Sequence, residues 1–303
     1  MKKILIFGTG SIALRHYKLL KTKKVEIFFY TKKKNFSKNF KIINLKDDII
    51  KLNPDFFIIA SKTNLHFEQL RFIEQNFSMK KILVEKPLFS KYQNFKIKKN
   101  DVFVGYQLRY HPIIDYLKKR FKREKTFLIK INCNSYLPEW RKNIEYHKSY
   151  SAKKKEGGGV LSDLSHEIDY VQYIFGKIDK INFSLLSKIS NLRINSEDIF
   201  HFIGSINKSK IIINLDYFSK FKKREIEVIS NKNHIRCDLI KNIIEYKVNK
   251  KSKKIKFKLT KNYTYLKIFD NIFFNKDKRK ISCGYKEGLN INRLIDKLKS
   301  RSK

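Results

Sequence analysis

Two closely spaced glycines near the beginning of the sequence could hold phosphate groups against the backbone. The segment Gly8-Thr9-Gly10-Ser11-Ile12-Ala13 follows a short apolar run at residues 3–7 and opens an amphipathic stretch at residues 11–20. In a strand, turn and helix of this kind, the first glycine makes the tight turn, the second lets the backbone approach a pyrophosphate, and a small third residue lets helix and strand pack closely. Amide groups at the start of the helix then face the phosphates. The segment predicts a dinucleotide-binding loop, although glycine pairs also end strands in many other proteins.

The residues after the next apolar run, 25–30, indicate which dinucleotide such a loop would bind. An acidic side chain at this point would hydrogen-bond the 2′-hydroxyl of the adenosine ribose. The sequence instead reads Tyr30-Thr31-Lys32-Lys33-Lys34, a hydroxyl followed by cations. This pattern suits a 2′-phosphate, so Thr31 and Lys32 favour NADP over NAD. The alternative is that these lysines are solvated like the many others in the chain.

A sheet has to position the loop, and the first half of the sequence supplies its strands. Residues 25–30, 55–60 and 81–84 are apolar runs, and helix-like segments separate them. Alternation of this kind implies a parallel, doubly wound α/β sheet of the Rossmann type. We therefore predict an NAD(P)-binding domain at residues 1–118 and a second domain at residues 119–303.

From residue 127 onward the pattern changes to strands with one intervening helix, joined in several places by turn-like pairs. We expect an α+β domain with a largely antiparallel open sheet and a helix from Asp163 to Phe175 against it. Residues 249–253 are expected to form an exposed hairpin tip, and residues 287–299 a closing helix. The predicted strands are 127–134, 180–187, 198–206, 210–218, 225–230, 234–239 and 254–259.

Four further segments are ordinary alone but specific in their order and spacing. With the glycine loop they resemble the glucose-fructose oxidoreductase, inositol dehydrogenase and rhizopine-catabolism (Gfo/Idh/MocA) family, and the resemblance covers essentially the whole chain. The segments are Ser61-Lys62-Thr63-Asn64-Leu65-His66, Val84-Glu85-Lys86-Pro87, Gly105-Tyr106-Gln107-Leu108-Arg109-Tyr110-His111-Pro112, and the triplet Gly157-Gly158-Gly159 followed by Asp163 and His166.

The resemblance implies hydride transfer between a nicotinamide cofactor and a hydroxyl or keto group. Oxidising a secondary alcohol requires a base for the hydroxyl proton and a group that holds the developing oxyanion, for which a lysine and a histidine are suitable types. By resemblance, Lys86 lies beside nicotinamide and substrate, His166 exchanges the proton, and Asp163 orients or tunes the pair. The alternatives are a surface lysine and a helix histidine bonded to a neighbour.

The spacing of the acid and the histidine departs from the family pattern. Most members place them four residues apart, whereas Asp163 and His166 are three apart. Residues three and four apart both lie on one face of a helix, so the pair can still converge. The shortened spacing also leaves open a second class of function, a sensor that binds a dinucleotide without catalysing a reaction.

Aromatic and hydroxyl side chains before the glycine triplet are suited to a sugar. Trp140, the only tryptophan, is followed by Arg141 and resembles the family's Trp-Arg pair close to the cofactor. Arg141 suits a phosphate or carboxylate of cofactor or substrate. The segment resembles family members from surface-polysaccharide and sialic-acid-like sugar pathways, which implies a sugar, cyclitol or nucleotide-sugar substrate in surface glycan biosynthesis. Alternatively, the aromatic rings pin a loop to the sheet.

The candidate site residues divide into three groups. The catalytic candidates are Lys86, His166 and Asp163. The cofactor-binding candidates are Gly8, Thr9, Gly10, Ser11, Ile12, Thr31, Lys32, Ser61, Thr63, Asn64, His66, Glu85, Lys86, Arg109, Trp140 and Arg141. The substrate-binding candidates are Lys86, Tyr136, Arg141, Tyr150, Asp163 and His166.

The charge of the chain raises a third class, a basic nucleic-acid-binding protein. The 69 Lys and Arg against 28 Asp and Glu give a formal net charge of +41. The excess is almost all lysine and is spread from Lys2 to Lys303, whereas nucleic-acid binders concentrate charge on one face and favour arginine. Compositional bias is therefore favoured over a specific nucleic-acid role.

The cysteines and the hydropathy of the sequence indicate the cellular compartment of the protein. Cys133, Cys237 and Cys283 are far apart and form no CxxC pair, so neither a zinc site, a disulfide framework nor any other metal site is expected. No apolar run approaches the roughly 20 residues that span a bilayer, and no signal peptide is evident. We expect a soluble cytoplasmic protein without membrane partners. By resemblance, it forms a homodimer or homotetramer through the open sheet of the second domain.

Overall fold

The computed structural model describes residues 1–33, 36, 39–122, 124–141, 145–248, 251–277 and 279–301. Lys34 of the predicted ribose site and residues 249 and 250 of the predicted hairpin tip lie outside these ranges. The chain divides into two compact units, residues 1–106 with 265–293, and residues 107–264 with 294–303. The chain passes between the units after residues 106, 264 and 293, whereas the sequence predicts one boundary, after residue 118.

The first unit is built on a seven-stranded sheet. Its strands are β1 (Lys2–Phe7), β2 (Val25–Tyr30), β3 (Lys41–Ile43), β4 (Phe56–Ile59), β5 (Lys81–Val84), β6 (Asp101–Val104) and, late in the chain, β15 (Cys283–Gly284). Its helices are α1 (Ser11–Leu20), α2 (Lys46–Leu52), α3 (His66–Asn76), most of α7 (Tyr263–Ile272) and the first part of α8 (Tyr285–Arg301). The strand order is β15-β6-β5-β4-β1-β2-β3, parallel throughout except for β15.

This topology confirms the predicted doubly wound sheet. The order reverses between β1 and β4, and in open sheets of this kind ligands bind at the reversal, outside the carboxyl ends of the strands. The central strands are apolar because helices cover both faces of a parallel sheet. All four residues of β4 are buried, as are Ile4, Leu5 and Ile6 of β1. Three strands were not among the predicted runs: β6, which has four residues, and the edge strands β3 and β15, whose two or three residues carry little periodicity.

The second unit is built on an eight-stranded sheet. Its strands are β7 (Thr126–Tyr136), β8 (Lys180–Ser187), β9 (Ile199–Ile206), β10 (Ser209–Asp216), β11 (Phe218–Ser230), β12 (His234–Asp238), β13 (Ile243–Val248) and β14 (Lys251–Lys256). Its helices are α4 (Pro112–Arg120), α5 (Val160–Asp163), α6 (His166–Phe175) and the last residues of α8 (Tyr285–Arg301). The order is β14-β13-β12-β11-β7-β10-β9-β8, antiparallel except between β7 and β10.

The largely antiparallel sheet confirms the expected α+β domain, with two differences at its edge. The sequence analysis missed β13 and placed the last strand at 254–259, whereas β14 begins at Lys251. Residues 251–253 are therefore strand rather than hairpin tip. Lysines on both faces of the edge strand β14 dilute the alternation that would reveal it.

One expectation about the second unit is wrong: a single helix does not run from Asp163 to Phe175. Asp163 ends α5 and His166 begins α6. Leu164, which follows Asp163, has a ψ of 25°. Its carbonyl accepts a hydrogen bond at 3.2 Å from the amide of Glu167, three residues later. The acid and the histidine therefore lie on different helices, so the argument from one shared helix face does not apply.

Among the described residues, no helix combines the length and apolar character needed to cross a bilayer. Cys133, Cys237 and Cys283 are buried thiols, and none of them forms a disulfide.

Candidate functional site

The glycine loop follows β1, at the reversal of the strand order. Gly8 follows β1 with a φ of +103°, a conformation that side chains rarely adopt. A Cβ at Gly8 would come within 2.6 Å of the Ala60 carbonyl oxygen, which follows the neighbouring strand β4. Gly8 therefore packs two strand ends against each other and leaves no room for a side chain.

Gly10 has the opposite environment. It caps the N-terminus of α1, no described atom lies within 4 Å of where its Cβ would be, and the first turn of the helix contains no acid. Thr9, Ser11 and Ile12 beside it are exposed or half-buried. A positive helix terminus next to open space fits an anionic group approaching the backbone.

The end of β2 lacks an acid, as the sequence showed. Thr31 is buried, its amide donates to the Ile43 carbonyl at 3.1 Å, and its Oγ1 accepts from the Lys33 amide at 3.2 Å. Lys32 and Lys33 are exposed. Thr31 therefore stabilises the turn after β2, and the exposed Lys32 and Lys33 place positive charge there.

The end of β5 is held by a buried pair that the sequence analysis did not foresee. Nε2 of His16, on α1, lies 2.7 Å from Oε1 of Glu85. Burial opposes ionisation of this carboxyl, but the hydrogen bond from His16 and the nearby positive charges hold the pKa of Glu85 below its ordinary value. Glu85 is thus engaged inside the protein, while Lys86 after it is half-buried and begins a cis peptide bond to Pro87.

The turn after β4 is organised by His66, which is 1% exposed. Its Nδ1 lies 3.2 Å from the carbonyl oxygens of both Pro87 and Leu88, and its Nε2 lies 3.3 Å from that of Ser61. Burial lowers the pKa of His66 despite these contacts. His66 therefore ties the turn after β4 to the turn after β5, the two turns that carry this group of candidates.

The other candidates on this turn differ in exposure. Ser61 donates to Oε1 of Gln69 at 2.7 Å, Thr63 is buried, and Asn64 is exposed. Their roles as cofactor ligands stay predictions.

In the second unit, Asp163 accepts two phenol hydrogen bonds. Tyr150 donates to its Oδ1 and Tyr217 to its Oδ2, both at 2.6 Å. Burial, followed by the charge of Asp163, raises the pKa of both tyrosines well above the ordinary value, so the phenols remain donors. The structure thus brings together two predicted residues, Tyr150 and Asp163, and adds Tyr217.

Trp140 and Arg141 lie beside this cluster. The Trp140 Nε1 donates to Ser135 at 3.0 Å, and its ring meets Tyr217 edge to face at 5.2 Å. The Arg141 guanidinium lies 5.3 Å from the centroid of the Tyr150 ring, a cation–π contact. A small cavity here is lined by Leu137, Trp140, Arg141, Tyr146 and Ser149.

Arg109 and His166 are buried, and Tyr136 is half-buried. Arg109 is 3% exposed and binds Asp169 through Nε at 3.0 Å and Nη2 at 2.7 Å. Its position therefore fits a structural ion pair better than a cofactor ligand. His166 is 5% exposed at the start of α6. Lys86 lies in the first unit, whereas Asp163 and His166 lie in the second.

Sequence reasoning missed His16 and Tyr217. His16 lies on the buried face of α1 with Ala13 and Leu20, a stripe that identifies a core position but not its partner. Tyr217 directly follows β10, and nothing in the sequence distinguishes it from the other tyrosines. Within the described part of the chain, no group of three or more His, Cys, Asp or Glu could hold a metal ion.

The fold is similar to those of solved proteins at low sequence identity. The WlbA dehydrogenase from Bordetella pertussis, in complex with NADH and UDP-GlcNAcA, has a TM-score of 0.75 and 16% identity, with 99% of this chain and 96% of that chain covered. UDP-N-acetylglucosamine 3-dehydrogenase GnnA from Acidithiobacillus ferrooxidans has a TM-score of 0.74 and 12% identity, with 99% and 97% covered. A super-repressor mutant of Gal80p from Saccharomyces cerevisiae has a TM-score of 0.79 and 15% identity, with 99% and 95% covered.

No curated protein sequence matches the chain. A family model, described as the C-terminal alpha/beta domain of the oxidoreductase family GFO_IDH_MocA, matches residues 127–296, more than half of the 303 residues. This match confirms the resemblance drawn from the motifs: the chain belongs to the Gfo/Idh/MocA oxidoreductase family.

Proposed function

We propose that the protein binds NAD(P) and transfers a hydride between the nicotinamide and a hydroxyl or keto group of a sugar, cyclitol or nucleotide-sugar. One observation carries the proposal. At the reversal of the strand order, Gly8 has no room for a side chain and Gly10 borders open space at the start of α1. These are the two glycine roles that a dinucleotide loop requires.

NADP is slightly favoured over NAD. Two exposed lysines, Lys32 and Lys33, follow β2 where an acid would hydrogen-bond a ribose 2′-hydroxyl. Cations at this position support a 2′-phosphate, although the solved WlbA holds NADH and a solved oxidoreductase from Agrobacterium radiobacter holds NAD+.

Lys86, His166 and Asp163 are proposed as the catalytic residues, with Lys86 beside the reacting carbon and His166 exchanging the proton. Asp163, fixed by Tyr150 and Tyr217, supplies a stationary negative charge. Nucleotide-sugars in the descriptions of WlbA and GnnA support that substrate class, and a role in surface glycan biosynthesis is proposed with it. Buried thiols are compatible with a reducing cytoplasm, where we place the reaction.

Calorimetric titration with NADPH and NADH tests the binding step. Gly10→Ala should keep the melting temperature and lose at least about tenfold in affinity, roughly 1.4 kcal/mol, because a methyl group would occupy the phosphate's approach. Gly284→Ala is the matched control, since no described atom lies within 4 Å of its Cβ position either. Absence of binding to both nucleotides by the wild type would refute the proposal.

Turnover on a panel of sugars, cyclitols and nucleotide-sugars tests the chemistry. Lys86→Met and His166→Asn should each retain nucleotide binding and lose about 10² or more in kcat, the usual contribution of a positioned acid or base. Lys91→Met, at an exposed position, is the control.

The likeness to Gal80p, described as a transcriptional regulator in Kluyveromyces, keeps a sensor as the second candidate. A sensor would bind the nucleotide and show no turnover on any member of the panel.

A further inference from the structure

One buried hydrogen bond joins two segments of the first unit that the proposed function uses separately. His16 is on α1, the helix that begins at the dinucleotide loop, and Glu85 immediately precedes Lys86. The His16 Nε2 and the Glu85 Oε1 are 2.7 Å apart, with side-chain exposures of 0% and 9%. This hydrogen bond therefore links α1 to the end of β5, directly before Lys86.

Neighbouring residues shield the His16–Glu85 pair from water, so a water molecule does not readily replace either partner. The His16 ring packs edge-on against Tyr265 at 5.8 Å and Phe269 at 5.5 Å. On the other side, a Cβ at Gly105 would lie 3.1 Å from the Glu85 Oε2, so the absence of a side chain at Gly105 makes space for the carboxylate.

The geometry also fixes the direction of the hydrogen bond and its consequence for Lys86. A carboxylate only accepts, so His16 donates through Nε2. The other carboxylate oxygen of Glu85 lies 3.4 Å from the backbone amide of Lys86. If His16 no longer donates, the buried carboxylate is expected to protonate or turn towards water, and either change weakens its contact with the Lys86 amide.

We propose that His16 is a positioning residue that holds the Glu85 carboxylate and thereby fixes the Lys86 backbone against the helix of the dinucleotide loop. The proposal rests on the proposed function for its catalytic consequence. Its structural consequence is independent, because the link exists whether or not a dinucleotide binds.

Hydrogen exchange without nucleotide tests the link directly. His16→Leu should raise amide exchange at least about tenfold in residues 84–90 while β1 and β4 keep their protection. His16→Gln, whose side-chain amide can donate to Glu85, should restore most of the protection. Lys18→Gln, on the exposed face of the same helix, is the control. Unchanged exchange at residues 84–90 in a folded His16→Leu protein would overturn the proposal.

Kinetics add a readout that general destabilisation would not produce. His16→Leu should lower kcat at least tenfold with the KM for the nucleotide changed less than about threefold, and His16→Gln should recover kcat. Equal loss in the Leu and Gln variants, scaling with their melting temperatures, would contradict a positioning role. If the wild type binds no nucleotide, the proposed function fails, while the exchange experiment still decides the role of His16.

Discussion

The partners of two buried charged side chains, Asp163 and Arg109, determine what each side chain can do. Asp163 is the clearest case, because both of its oxygens accept phenol hydrogen bonds. The carboxylate therefore has a fixed orientation and a stabilised negative charge. The guanidinium of Arg109 forms an ion pair with the buried Asp169, so its position fits a structural role better than ligand binding.

Removing one phenol tests the contribution of this cluster. Tyr217→Phe should lower the free energy of unfolding by about 1.5–3 kcal/mol, because a buried carboxylate loses a charge-assisted hydrogen bond. Urea denaturation of the two proteins measures the difference. Tyr246→Phe, at a half-buried tyrosine on β13 outside this cluster, is the control. An equal effect of the two substitutions would mean that the bond to Asp163 contributes nothing.

At this scale the sequence predicted the residue types but few of the contacts. Lys86 and Gly8 were recognised because each belongs to a motif with fixed spacing. Partners such as His16 and Tyr217 lie 69 residues from Glu85 and 54 residues from Asp163, respectively. Only the folded topology brings such distant positions together, so no local pattern could identify them.

Among the elements, β11 shows how the sheet of the second unit is held across its strands. Glu227 on β11 faces Lys130 on β7 and Arg236 on β12 in register, and it also contacts His234. Burial opposes ionisation, but hydrogen bonds from His234, Arg236 and Lys130 lower the pKa of Glu227 to about 2. Cross-strand ion pairs of this kind stabilise the register of the strands.

The lowered pKa predicts a pH-dependent stability. Because the pKa of Glu227 is lower in the folded chain than the ordinary value of 4.5, its contribution is fully present above that value and is lost as pH falls towards 2. After allowance for solvent screening, Glu227→Gln should cost about 1–2 kcal/mol at neutral pH and less than half of that near pH 3.

Urea denaturation at the two pH values checks this expectation. Glu245→Gln is the matched control, because Glu245 lies next to Arg236 in the same row but its pair with Lys254 is exposed. A cost that does not shrink at low pH would assign the effect to packing rather than to charge.

Long apolar strands and amphipathic helices were predictable, whereas breaks and edges were not. The helix predicted at residues 11–20 is α1, with the same bounds. The break between Asp163 and His166 was hidden because Leu164 and Ser165 are compatible with a helix. It is set by the buried surroundings of α5 and α6 rather than by local propensity.

For the whole molecule, the open face of the second sheet indicates self-association. Phe183, Leu185 and Ile203 lie on β8 and β9 with exposures of 51%, 42% and 44%, and Phe183 pairs directly with Ile203. Clustered apolar side chains on an uncovered sheet face mark an interaction surface. We propose that a second copy of the chain covers it, giving a homodimer or homotetramer.

Analytical ultracentrifugation checks the assembly. The wild type should sediment as a dimer or tetramer at micromolar concentration, and Ile203→Lys should shift it towards monomer because a buried lysine would be unpaired. Ile189→Lys, at an exposed apolar residue outside the strands, is the control. A monomeric wild type would contradict the proposal.

The return of the chain to the first unit at Tyr265 has a consequence for the order of synthesis. Residues 1–106 leave the ribosome long before β15 and α7, which complete the same unit. Until then the rings of Tyr265 and Phe269, which pack against His16 in the complete chain, are absent, so we expect the His16–Glu85 pair to be accessible to water. The nascent dinucleotide fold therefore becomes fully enclosed only after the intervening unit has been translated, so a stalled or truncated chain would carry an unfinished core.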